Sequence, residues 1–201
     1  MGVNLCRVRF DAWVAEMLQP AAHEDFMRAV RRHVGPHTRI EDWTVADDDY
    51  PGLGSYGLYD HFRHSMFFVH AGHFDDEMYD ASRLEPEARK AYEERLKPSP
   101  DGIPYAATIL DAGDSSTLFV PALFEEPLHF ADRDDFVFVT SLPGAMRALE
   151  GFAAAVGFDL KTELEPEVVD EVWDPIATCR NTARMMYAFF DEKPDACVEF
   201  G

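Results

Sequence analysis

Basic residues are scarce in this chain: 18 lysines and arginines stand against 38 acidic residues, a formal balance of −20 over 201 residues. Nucleic-acid binding draws affinity from cations that displace counterions, so direct DNA or RNA binding is not expected. An anionic membrane surface would repel the same charge. Cysteine is rarer still. Cys6, Cys179 and Cys197 are scattered among apolar neighbours, which reads as reduced core thiols in a cytoplasmic protein, with no disulfide or metal framework. Long apolar runs are missing too: stretches such as Met66-Phe-Phe-Val69 fall far short of the roughly 20 residues that span a bilayer. Arg7 and Arg9 sit inside a strand-like pattern with no apolar stretch after them, so no secretory signal is expected. No phosphate loop, dinucleotide glycine pattern or kinase signature occurs.

What is present is the material of a core. Hydrophobic residues make up 47% of the chain and aromatics 13%, which argues against disorder. A chain of this length buries roughly 70% of its unfolded surface. The acidic surplus reads first as a solubility device, and it is also compatible with an acidic face that steers a basic partner.

The strongest local signals lie between residues 117 and 157. The apolar stretches Thr117-Leu-Phe-Val-Pro-Ala-Leu123 and Leu128-His-Phe130 lead up to Phe136-Val-Phe-Val-Thr140, which reads as a buried central strand. Ser141 then suits an N-cap and Pro143 a first helical turn. Met146, Leu149, Ala153 and Val156 form one apolar stripe, and Gly157 closes the helix with Phe158 folding back. Strand followed at once by capped helix predicts one α+β or α/β domain over 1–201, a mixed sheet with amphipathic helices packed on it.

Elsewhere, residues 3–10 alternate as a strand with Cys6, Val8 and Phe10 packed and Arg7 and Arg9 wet. Helices are expected after Asp11, over 22–34, and from Ser55 with Leu58, Phe62, Met66 and Val69 aligned until Gly72. A charged helix is expected from Pro86 to Leu96, and the loop Lys97-Pro-Ser-Pro-Asp-Gly-Ile-Pro104 follows on the surface. Residues 105–110 suit a strand or a short helix. A short helix is expected around 165–172, then a long one capped by Asp174 with Pro175 in its first turn. A closing strand over 196–200 would bring both termini into one sheet.

Chemistry-bearing residues are few. His61, His64, His70 and His73 fall close together with Asp60, Asp75, Asp76 and Glu77 nearby. Imidazole with carboxylate suits zinc or another divalent metal, so a metal-dependent hydrolase built on these four histidines is one reading. On the expected helix, however, His61 and His64 lie opposite the apolar stripe, the position of ordinary solvent-facing residues. Gly113-Asp-Ser115 resembles the nucleophile turn of the GDSL-type serine esterases, but only His129 follows it and Asn4 and Asn181 supply no oxyanion block. Paired acids such as Glu125-Glu126 carry little information in so acidic a chain. Trp13, Trp43 and Phe67 could line a small-molecule pocket.

A further resemblance covers about a third of the chain. Met1-Gly-Val-Asn-Leu-Cys6, Ser55-Tyr-Gly-Leu-Tyr59, Phe119-Val-Pro121, the stretch from Ile176 to Ala183 and Cys197-Val-Glu-Phe200 resemble small acidic bacterial proteins of the polymorphic-toxin immunity type. The segment 73–104 departs from that pattern. The resemblance implies a cytoplasmic, non-enzymatic protein, without cofactor, that binds another protein, and it transfers no catalytic residue. Together with the charge it points to a basic protein partner, with Asp47, Asp48, Asp49, Asp132, Asp134 and Asp135 as the clustered acids most suited to contact it.

Overall fold

The computed structural model describes residues 2–46, 52–71, 102–112, 116–132, 135–166, 168–169 and 172–200. The strands are β1 (Gly2–Val8), β2 (Gly52–Ser55), β3 (Thr117–Val120), β4 (Leu128–Asp132), β5 (Asp135–Ser141), β6 (Val168–Val169), β7 (Val172–Trp173) and β8 (Cys197–Phe200). The helices are α1 (Phe10–Met17), α2 (His23–Val34), α3 (Tyr56–His70), α4 (Ala107–Leu110), α5 (Leu142–Val156) and α6 (Pro175–Glu192). Six strands form a mixed sheet in the order β2-β1-β8-β3-β5-β4, in which only β3 and β5 are parallel neighbours. The fold is α+β, and β1 pairs with β8, so the two ends of the described chain are adjacent strands.

Both faces of the sheet are covered, which decides how each strand must be read. On one face, α3, α4, α5 and α6 pack on Val3, Leu5, Phe119, Val198 and Phe200. On the other, α1, α2 and Trp43 pack on Leu118, Val120, Val137, Val139 and Cys197. Alternate residues of the same strand therefore go to different cores. Arg7, expected on a wet face, is 1% exposed and points to the α6 side. Phe10 starts α1 instead of ending β1.

The expected helix caps are in place. The Ser141 hydroxyl accepts from the Gly144 amide at 2.9 Å, Gly157 closes α5 at φ 83°, and the Phe158 amide donates back to the Ala153 carbonyl. Asp174 accepts from the Ile176 and Ala177 amides at the start of α6. The buried stripe of α5 is centred on Ala145, Ala148, Leu149 and Phe152, one position away from the expected one. Residues 105–110 resolve into the single turn of α4.

Other expectations give way. β5 lies next to the sheet's end, not at its centre, and Phe136 is 50% exposed. No helix forms among the described residues of 165–172. Pro166 and three β-branched valines favour the β6–β7 ribbon there. Strand β2 was not foreseen, because its Gly-Leu-Gly-Ser sequence shows no alternation. Ile103, inside the expected surface loop, is buried against Gly151. Gly72, the helix over 86–96, residues 97–101 and Gly113-Asp-Ser115 lie outside the described residues. No helix among the described residues is long and apolar enough to cross a membrane.

Candidate functional site

Among the described residues, the covering of the sheet stops at the β4–β5 hairpin. On one side Leu128 and Phe130 are packed by α2, with the Phe26 ring edge-on to Phe130 at 5.2 Å. On the other side the helical layer meets β5 at Thr140, whose hydroxyl donates to the Thr108 carbonyl of α4. Phe136, Phe138 and His129 share this side because His129 is paired in register with Phe138. Their rings meet edge to face, His129 to Phe138 at 4.6 Å and Phe136 to Phe138 at 4.7 Å. Such ring pairs are worth about 0.5–1.5 kcal/mol each, enough to hold an apolar platform that water still reaches.

Strand β4 ends the sheet, and among the described residues nothing pairs with its outer edge. Acids bracket it. Glu125 and Glu126 are exposed just before it, and Asp132 faces Asp135 as the last register pair after it. Helix α2 runs against β4 in the opposite direction, with Phe26 at Phe130 and His33 bonded to the Glu126 carbonyl. Its acidic first turn, Glu24 and Asp25, therefore lies towards the Asp132 end, and its basic last turn towards Glu126.

Much of the cationic complement is already engaged elsewhere. Arg9 pairs with Asp11, Arg28 with Asp25, Arg31 with Glu41, and Lys161 with Asp191. Exposed pairs of this kind add roughly 0–1 kcal/mol of stability, but each neutralises a positive charge locally. The hydrogen bond from Arg9 is the main reason the Asp11 carboxyl is held below its ordinary value.

The remaining predicted residues disperse. Asp132 and Asp135 meet at the hairpin, whereas Asp47, Asp48, Asp49 and Asp134 lie outside the described residues, as does His73. His61 and His64, expected on a solvent face, are 6% and 9% exposed. The reason is that α3 is covered on both sides: Tyr59, Phe62 and Met66 face one part of the core, and Ser65 reaches Cys179 of α6 at 3.2 Å. His64 lines a cleft of about 240 Å³ with Arg63, Phe67 and Asp111. His70 stacks its ring against Gly102 so closely that a Cβ there would stand 2.6 Å from it. Among the described residues, no three His, Cys, Asp or Glu side chains are grouped to hold a metal ion. Trp13 and Trp43 belong to the α1–α2 core, while Phe67 rides on α3 across the sheet, so the three do not line one pocket.

Two features were missed in the sequence. An open cleft of about 600 Å³, where β3 ends at Pro121, is lined by His37, Arg39, Asp42, Trp43 and Asp195. Its opposite charges leave it no marked preference of sign. The second is Glu199, which alternates with Val198 and Phe200 and so points into the α1 core, where Trp13 Nε1 donates to it at 3.1 Å. Burial raises its carboxyl above the ordinary value, against the Trp13 hydrogen bond, with Glu16 adding to the rise. The inward half of the Cys197-Val-Glu-Phe200 alternation was the available signal.

A raised carboxylate favours the folded state below its unfolded pKa, and that contribution is lost as pH rises through the folded value. Glu199→Gln, which keeps an acceptor for Trp13, is therefore expected to raise Tm at pH 7 and to leave it unchanged near pH 3. Melting curves at the two pH values check this.

No protein-family model, curated protein or solved structure matches this chain.

Proposed function

We propose that this chain is a non-enzymatic, cytoplasmic binding protein of the immunity type, whose acidic face engages and neutralises a basic protein. The observation that carries the reading is the open hairpin of β4 and β5: a half-exposed aromatic platform bracketed by acids, on a chain of net charge −20. Specific interfaces have this anatomy, an aromatic centre that loses its water and a charged rim that sets partner and rate. The resemblance of the terminal and central segments to immunity-type proteins supports the same class. The rim acts chiefly on association, because charges of opposite sign steer the encounter over a Debye length of about 8 Å at physiological salt.

The test is capture from native lysate at low and at high salt, followed by kinetics with the purified partner. A protein of high isoelectric point should be recovered, and its association rate should fall about tenfold or more between 50 and 300 mM salt while dissociation changes little. Recovery of only neutral or acidic partners, or of none at either salt, sinks the reading.

A further inference from the structure

We propose that the outer edge of β4 receives an extended basic segment of the partner as an added strand. The inference rests on the binding function above and names how that binding is made. An edge strand presents unused backbone N–H and C=O groups on alternate residues, and Leu128–Asp132 offers five residues, or about 17 Å of ladder. Natural proteins cover, shorten or charge such edges. Here one face is covered by α2, and on the other Phe136 is half exposed with none of the described helices packed on it.

The side chains define the occupant. On the open face an incoming strand places every second residue beside His129 and Ala131, with Phe138 and Phe136 of β5 next inward, so those positions suit isoleucine or an aromatic long enough to reach across Ala131. One end of the ladder follows Glu125 and Glu126, and the other closes at the register pair Asp132 and Asp135. A second copy of this chain is the wrong occupant. Paired antiparallel, Glu125 and Glu126 would lie against the other copy's Asp132 and Asp135; paired parallel, each acid would meet its own kind. Either arrangement sets like charges together, which destabilises cross-strand pairs. The same acids that forbid self-pairing favour lysine and arginine. They do so most at the hairpin end, towards which the acidic first turn of α2 is directed and away from which its basic last turn lies.

The probe is a short, acetylated and amidated peptide of alternating lysine and isoleucine, titrated against the full chain. Its control replaces alternate isoleucines by proline, which keeps the charge and removes the ladder donors. The alternating peptide should bind at least about tenfold more tightly than the proline peptide, and should slow hydrogen exchange at the amides of residues 128–132. Phe136→Ser, at a half-exposed position, should weaken it about tenfold. If that variant melts early, exchange in the wild-type chain still reads the contact.

Equal binding of both peptides overturns strand addition and leaves a merely electrostatic basic partner. Failure of both peptides, with a basic protein still captured, places the contact elsewhere and overturns the edge assignment. Slow exchange at all β4 amides before any peptide is added shows an edge already covered within the chain. Dimerisation in sedimentation, abolished by Phe136→Ser, makes a second copy the occupant. Each of these last two results also overturns the proposal.

Discussion

An Arg7→Ala variant is expected to lose about 3–5 kcal/mol of stability, among the largest losses a single substitution can cause here. The guanidinium is 1% exposed and lies 3.9 Å over the Phe189 ring. Its Nη2 donates to the Phe189 carbonyl at 2.9 Å and to Glu192 at 2.6 Å. Phe189 lies in the last turn of α6, so this bond brings a charged donor to a carbonyl at the C-terminal end of the helix. Arg7 thus caps α6 from the neighbouring strand, with its charge at the negative end of the helix. Alanine leaves a cavity and a buried carbonyl without this donor. Glu192 is 61% exposed and returns to water at little cost, so the loss comes from the buried side of the interaction.

Arg7→Met separates the two contributions. It refills most of the volume without a donor, and should recover about half of the loss. Urea midpoints for the two variants decide the matter. A loss below about 1 kcal/mol for alanine would show that Arg7 is a tolerated passenger and not a cap.

Arg7 also shows where sequence reasoning succeeded and where it could not. The Ser141 and Asp174 caps, Pro175 and the Gly157 stop were legible because each acts on amides or carbonyls within four residues of itself. The burial of Arg7 was not legible, because what covers it comes from α6, more than a hundred residues away in sequence; nor was that of His61 and His64, whose helix packs against α6 through Ser65 and Cys179. Alternation told which residues share a side of a strand, but not that both sides would be packed. The order of the strands was likewise hidden: Phe136-Val-Phe-Val139 has the composition of a central strand, yet β4 alone lies beyond it.

The candidate site divides in the same way. Its acids were visible as clusters in the sequence. Its aromatic platform depends on the pairing of His129 with Phe138, a register that the β4–β5 hairpin creates and composition does not encode. The acidic segment 158–166 gave the opposite error. It reads only as the approach to a short helix around 165–172, and one of its acids proves to be a structural tie.

That acid is Glu165, and its removal is the second large effect. Arg180 Nε donates to Oε1 at 2.9 Å, Arg180 Nη2 to Oε2, and Arg184 Nη1 to Oε1. The Glu165 amide and carbonyl are bonded in turn to the Asn181 side chain, both at 2.8 Å. Arg184 is only 6% exposed and also donates from Nε to the Asp159 carbonyl at 3.0 Å. The segment between α5 and α6 is therefore laid along α6 by one carboxylate shared between two guanidiniums. Glu165→Ala leaves a buried cation without its counter-charge, and should cost roughly 2–4 kcal/mol; the partial exposure of Arg180 keeps it below the cost of a fully buried pair.

The pH dependence identifies the cause. Burial alone would raise the Glu165 carboxyl, but the hydrogen bonds from Arg180 and Arg184 outweigh it and hold the group below its ordinary value of 4.5. A lowered carboxylate contributes stability that is complete above the unfolded pKa and is lost as pH falls through the folded one. The gap in unfolding free energy between the wild-type chain and Glu165→Gln should thus be largest at neutral pH and shrink steadily below about pH 4.5. A constant gap from pH 7 down to pH 3 would mean that shape and hydrogen-bond count hold this segment, and that the charge does not.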